Sequence, residues 1–135
     1  MSSASDPRDE LPAANADGPP SMTLAEYQRA ASRTTNESLS ADQRLVDAAA
    51  GLAEEAGEVL GLVRKHVFMR HELDRARLVT ELGDVLWCLT TAAGTLGVSL
   101  DEIAAGNVAK LRRRYPQGYS DTASARRSDP STDAR

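Results

Sequence analysis

With 135 residues the chain has room for one domain at most, and its net charge of −4, from 16 basic and 20 acidic residues, argues against a general nucleic-acid binder. A single cysteine, Cys88, excludes a disulfide framework and points to the cytoplasm. No apolar run approaches the ~18 residues of a membrane span, and the N-terminus lacks the charged-then-apolar pattern of a secretory signal, so neither membrane nor export is expected.

Residues 1–21 are rich in Ser, Ala, Asp and Pro with almost no large apolar side chain, and 120–135 are similar. Both are expected as disordered tails, because such segments bury too little surface to offset their ordering entropy. The fold is therefore expected over 22–119. Three helix starts carry the capping-box pattern, in which two side chains satisfy the first free backbone amides: Thr23 with Glu26, Ser40 with Gln43, and Ser99 with Glu102. The spacing predicts helices over 23–34, 41–69, 73–96 and 99–114, with Pro116 and Gly118 ending the last. The turn between the two long helices is inferred without a signal, since Met69, Arg70, His71 and Glu72 include no Gly, Pro or Asn. Strand-type alternation is absent, so the class is all-α, a four-helix, bundle-like arrangement. A core this small leads us to expect a subunit partner.

The chemistry lies in two carboxylate pairs, Glu55/Glu58 and Glu81/Asp84, each at a spacing of three residues in a long helix. One turn separates the members, so each pair projects from one side of its helix, and an antiparallel hairpin would bring the pairs to the same level. The apolar stripes are Leu45, Ala49, Leu52, Ala56, Val59, Val63 and Val67 in one helix, and Leu78, Leu82, Val85, Leu86, Leu89, Ala93 and Leu96 in the other. At 100° per residue, Glu55 and Glu81 each lie about 90° from the stripe centre, Glu58 and Asp84 each about 150°, and Glu54 nearly opposite it. Gly57 and Gly83 precede Glu58 and Asp84, and the missing side chains would let a backbone or a bulky ligand approach. An isolated Glu-x-x-Glu is usually a solvated helix face, and Glu81 has an ordinary salt-bridge partner four residues earlier in Arg77. The repeated spacing and offset speak against that reading. Four convergent carboxylates make an all-oxygen cage suited to a hard divalent cation such as Mg²⁺ or Mn²⁺.

In the last helix Leu100, Ile103, Asn107, Lys110 and Arg114 follow one face, so an apolar stripe turns amide and cationic along its own line, as a grip for phosphate oxygens would. Trp87 points about 150° from its stripe, where it could meet a ligand or a second subunit, while Cys88 is expected in the core. His66 and His71 stand at no three-residue spacing from the carboxylates, which removes the Glu-x-x-His pattern of di-iron bundles.

Leu52-Ala53-Glu54-Glu55-Ala56-Gly57-Glu58 and Glu81-Leu82-Gly83-Asp84-Val85-Leu86-Trp87 resemble the EExxE and ExxD motifs of the MazG-like all-α nucleoside triphosphate pyrophosphohydrolases. The segment Asn107 to Pro116 resembles that family's closing stretch, and the likeness runs over roughly 23–119. It implies a Mg²⁺-dependent hydrolase converting a (deoxy)nucleoside triphosphate to the monophosphate and pyrophosphate. By position, Glu55, Glu58, Glu81 and Asp84 would be the metal ligands, with Glu54 orienting or deprotonating the attacking water. Lys65, Asn107, Lys110, Arg114 and Trp87 would contact the substrate. A homodimer or homotetramer, with no stable nucleic-acid or membrane partner, is also implied. Where some relatives carry an aromatic residue that contacts the base, this chain has Cys88. The alternative is a non-catalytic helical module of the same fold that binds a nucleotide or a protein.

Overall fold

The structure, a computed structural model, describes residues 21–126. Nearly all of the expected N-terminal tail and the end of the C-terminal one lie outside the described residues. Among the described residues there are helices α1 (Leu24–Ser32), α2 (Ala41–Met69), α3 (Arg75–Thr95), α4 (Leu100–Arg114) and α5 (Asp121–Ala125), and no strand. The chain is thus all-α as its sequence predicts. The one-turn α5 falls in the stretch expected as tail; the Ser120 hydroxyl caps it by accepting from the Ala123 amide at 3.1 Å.

All three predicted capping boxes form. The Thr23, Ser40 and Ser99 hydroxyls accept from the amides of Glu26, Gln43 and Glu102, whose side chains return a bond to the backbone of the cap residue. The start of α3 is set by Asp74, two residues later than expected, because its carboxylate accepts from the Arg77 amide at 2.9 Å. Before it the chain reverses through Arg70, which sits at φ 55°. That left-handed conformation costs a non-glycine residue roughly 1–2 kcal/mol, so local bonds must hold it. The Arg70 and His71 amides both donate to the Lys65 carbonyl, and the His66 ring donates from Nδ1 to the His71 carbonyl at 2.8 Å. At the far end of α3, Gly97 at φ 70° provides the other reversal, where glycine carries no such penalty.

The antiparallel α2–α3 hairpin is the main packing unit, and α1 rests on α3 and α4. Gln28 ties these together: its amide nitrogen donates to the Val98 carbonyl (3.0 Å) and its amide oxygen accepts from the Leu100 backbone (2.9 Å). The hairpin seam follows Ala48, Gly51, Leu52, Glu55, Val59 and Leu62 on α2, all buried or half-buried. This corrects the stripe drawn from sequence. Ala49, Ala56, Val63 and Val67 are exposed, and Glu55 lies in the seam rather than beside it. The apolar arc of α2 is wider than a single partner helix can cover, so one edge of it is buried and the other left open.

Gly51 explains where the seam sits. A Cβ at this position would stand 2.9 Å from Cys88 Sγ, and Cys88 is buried. Gly51→Ala is therefore expected to cost about 1–3 kcal/mol of overpacking, partly offset by the roughly 1 kcal/mol better helix propensity of alanine. In a Cys88→Ala background the same change should be neutral or stabilising. Urea unfolding of the four proteins checks this; an equal cost in both backgrounds would show that the contact is not responsible.

Little apolar volume is enclosed. Among the described residues Ala48, Cys88, Ala93 and Leu100 form the buried apolar set, whereas Leu60 is 65% exposed and Val79 68%. On α2 the exposed residues Ala49, Ala53, Ala56, Leu60, Val63 and Val67 recur at alternating spacings of four and three, the spacing of a helix–helix seam. Val79, Leu82 and Leu86 continue it on α3. At 100° per residue the α2 row is rotated about 110° from the α2 seam, and the α3 row is rotated by a similar angle in the same sense from the buried and half-buried line of Leu78, Glu81, Val85, Cys88 and Ala92. In antiparallel helices that puts both rows on one side of the hairpin, as a continuous apolar face.

Candidate metal centre

One turn along from the Gly51–Cys88 approach, the carboxylates meet. Glu55 from α2 and Glu81 and Asp84 from α3 each bring one oxygen within 4.8 Å of the others. Glu55 and Glu81 are half-buried and Asp84 is exposed, so the cluster opens on the side of the hairpin opposite the apolar face. The Glu55 carboxyl is raised above its ordinary value, first by burial and then by the negative charges of Asp84, Glu81, Glu54 and Glu58. A group whose charged form is opposed by four neighbouring carboxylates gains most when a cation arrives.

The donor set suits a hard ion. The residues present fit such an ion, since three carboxylate oxygens lie within 4.8 Å of one another and would hold it.

Glu58, expected as the fourth ligand, stands outside this cluster. Its Oε2 accepts from an Arg77 terminal nitrogen at 3.2 Å, and Arg77 Nε donates to Glu81 Oε1, also at 3.2 Å. The i,i+4 pair read from sequence is thus present, with a cross-helix partner added. Glu54 is exposed beside Glu55. Gly57 and Gly83 differ from expectation: a side chain at either would meet nothing within 4 Å. Both lie on the side of their helix away from the seam, so neither serves a close approach of the two backbones.

Residues 43–119, more than half of the chain, match the MazG nucleotide pyrophosphohydrolase domain. The chain belongs to this family. No curated protein and no solved structure gives a match. The MazG match takes in α2 from Gln43 onward, α3 and α4, and with them Glu54, Glu55, Glu58, Glu81 and Asp84, while α1 precedes it.

The other MazG positions expected to meet substrate are spread more widely. Lys65 is exposed two turns beyond Glu58, on the same side of α2. Trp87 is half-buried one turn beyond Asp84, and its indole N–H donates to the Thr34 hydroxyl at 2.8 Å, which anchors the connection after α1. Asn107 and Lys110 line a groove of about 540 Å³ with Leu86, Leu89 and Ile103. That groove lies on the apolar side of the hairpin, so within one protomer these two do not join the carboxylates. Arg114 is half-buried at the end of α4.

Sequence reasoning passed over Tyr27. Its phenol is raised by burial and then by the charges of Asp84 and Cys88, so it belongs to the surroundings of the acidic cluster. The only signal was an aromatic side chain on a short, well-capped helix. Beyond it, a cavity of about 650 Å³ is bounded by Gln28, Ser32 and Arg44 and by Thr91 and Thr95 of α3. Thr91 and Thr95 continue the line of Asp84 along α3, at seven and eleven residues' distance.

Proposed function

We propose that this protein is a Mg²⁺-dependent nucleotide pyrophosphohydrolase converting a (deoxy)nucleoside triphosphate to the monophosphate and pyrophosphate, in the removal of unwanted nucleotides or the control of nucleotide pools. The observation that carries this reading is the convergence of the Glu55, Glu81 and Asp84 oxygens within 4.8 Å on a fold of the MazG family. These three hold the ion in this reading, Mn²⁺ being a workable substitute, and Glu58 is the fourth ligand. When bound, the ion neutralises phosphate charge and lowers the pKa of a coordinated water. Glu54, exposed beside the cluster, orients or deprotonates the water. Lys65 and Arg114 offset charge on the triphosphate, while Asn107 and Lys110, which do not join the carboxylates within one protomer, act on it from a second copy, Lys110 by charge and Asn107 by hydrogen bonding. Trp87 borders the nucleotide on the α1 side, with Tyr27 beside it, and the cavity between α1 and α3 has room for the nucleoside.

Two further assignments complete the reading. The open apolar face is covered by a second copy of the chain, giving a homodimer or homotetramer. The compartment is the cytoplasm, consistent with a lone buried cysteine; among the described residues no helix is long and apolar enough to cross a membrane.

The decisive experiment incubates purified protein with a panel of ribo- and deoxyribonucleoside triphosphates and Mg²⁺ and measures pyrophosphate and monophosphate. Equimolar release of both from at least one triphosphate, abolished by EDTA, is the expected outcome. Folded, metal-supplied protein releasing neither from any triphosphate would overturn the proposal.

A further inference from the structure

The position of Glu58 is the unexplained feature of the centre. It shares the spacing of its counterpart Asp84, yet Asp84 is in the cluster and Glu58 is not. Glu58 is instead held by Arg77. This guanidinium forks between Glu58 and Glu81 with two bonds of 3.2 Å, reaching across the hairpin seam to one and one turn along α3 to the other. Its own backbone is fixed by the Asp74 cap. Glu81 is 13% exposed against 54% for Arg77, so the guanidinium lies at the outer edge and the carboxylate at the inner one.

We propose that Arg77 is a built-in counter-cation that competes with the metal ion for Glu58 and Glu81. It holds Glu58 out of the cluster until an ion binds and releases it then. The proposal rests on the metal-site reading given above. The physical basis is mutual exclusion: a carboxylate drawn to a guanidinium cannot turn its charge fully to an ion, and an ion among the carboxylates repels the guanidinium. Arginine suits the task because its planar fork spans two carboxylates at once, which a lysine ammonium on a flexible stem does less well. Once displaced, the guanidinium stands beside the cluster with its donors free for phosphate oxygens, to which it is matched in shape. Arg77 would thus serve twice, as a stand-in for the ion in the resting protein and as a phosphate contact in the loaded one.

An intramolecular competitor weakens metal affinity, whereas a residue that only orients ligands strengthens it. Removal of Arg77 therefore distinguishes the two roles by sign. Calorimetric titration of Mn²⁺ into Arg77→Gln is expected to give binding tighter than wild type by roughly 2- to 30-fold, the range implied by losing two exposed ion pairs. Metal-free Arg77→Gln should melt below wild type, and its Tm should rise more on adding Mn²⁺. In a Glu58→Gln background, where one contested carboxylate is gone, the gain from removing Arg77 should shrink. Arg77→Lys retains a charge without the fork, keeps the metal-free protein folded, and should tighten binding less than Arg77→Gln. Binding by Arg77→Gln that is equal to or weaker than wild type would overturn the proposal while leaving the metal site intact. A wild-type protein that binds no Mn²⁺ would remove the metal site and this proposal together.

Discussion

Glu55→Gln is expected to abolish metal-dependent turnover and, at the same time, to raise the stability of the metal-free protein. The two effects have one cause. Glu55 lies in the hairpin seam, half-buried, and Asp84, Glu81, Glu54 and Glu58 all oppose its charge. Replacing the carboxylate by an amide of the same shape relieves that opposition when no cation is present, and takes away a ligand when one is. Loss of an outer-shell partner of a metal site costs roughly 10- to 100-fold, so loss of Glu55 itself should cost at least about 100-fold in kcat/KM. Glu58 is a less clean target, since its neutralisation also frees Arg77. Turnover by Glu55→Gln within a few-fold of wild type would mean that the cluster is not the metal site.

The pH dependence follows from the same carboxyl. A carboxylic acid whose folded pKa is raised binds protons more readily in the folded state, so its contribution to stability is fully present below its ordinary value of 4.5 and is lost as the pH rises through its higher folded value. Metal-free wild-type protein should therefore gain stability as the pH falls from neutrality towards 4.5. Below that, the opposite sign takes over. Glu26 and Glu102 are lowered by the amides and hydroxyls of Thr23 and Ser99, and their contribution is lost as the pH drops through their folded values. Thermal melts over this range should pass through a maximum that disappears in Glu55→Gln and flattens when Mg²⁺ is added.

How much of this was legible in the sequence depended on how local the physics is. The three capping boxes are decided within four residues, and all of them formed at the residues expected. The α2–α3 turn was legible only as a necessity, because Arg70 adopts a conformation its own side chain disfavours and is held by Lys65, His66 and His71. The spacing of Glu55, Glu81 and Asp84 was enough to suggest convergence, but the rotation of α2 was not. That rotation depends on contacts with α3 such as Gly51 against Cys88, between residues 37 positions apart, and a helical wheel of α2 alone cannot contain them. The same applies to Glu58. Its neighbours along α2 offered no good partner, and the cation that holds it comes from the other helix. Tyr27 and the cavity beside α1 were hidden for a third reason, since both arise where α1 crosses α3.

The second large effect is expected at the open face. Leu60→Glu should convert the protein from an assembly to a monomer and make the remaining fold markedly less stable. Were the chain a monomer, a 65% exposed leucine would be nearly indifferent to substitution, within about 0.5 kcal/mol. Against a second copy the leucine is buried, at about 1.5–3 kcal/mol per side chain. A two-fold interface counts each loss twice, so association should weaken roughly 10²- to 10⁴-fold. The shape of the face supports a copy of itself as its partner. Along α2 it carries Leu60, Val63 and Val67 towards the turn and Ala49, Ala53 and Ala56 at the other end, and along α3 it carries Val79 towards the turn with Leu82 and Leu86 further on. Two hairpins stacked antiparallel set the bulky stretch of one α2 row against the alanine stretch of the other. Val79→Glu, on the neighbouring helix of the same face, should act like Leu60→Glu. Sedimentation velocity reads the assembly, and melts at several concentrations read the coupling, since the Tm of an associating protein rises with concentration. If both variants sediment and melt as wild type does, this face has no second copy on it, and the small buried set of Ala48, Cys88, Ala93 and Leu100 must hold the fold by itself.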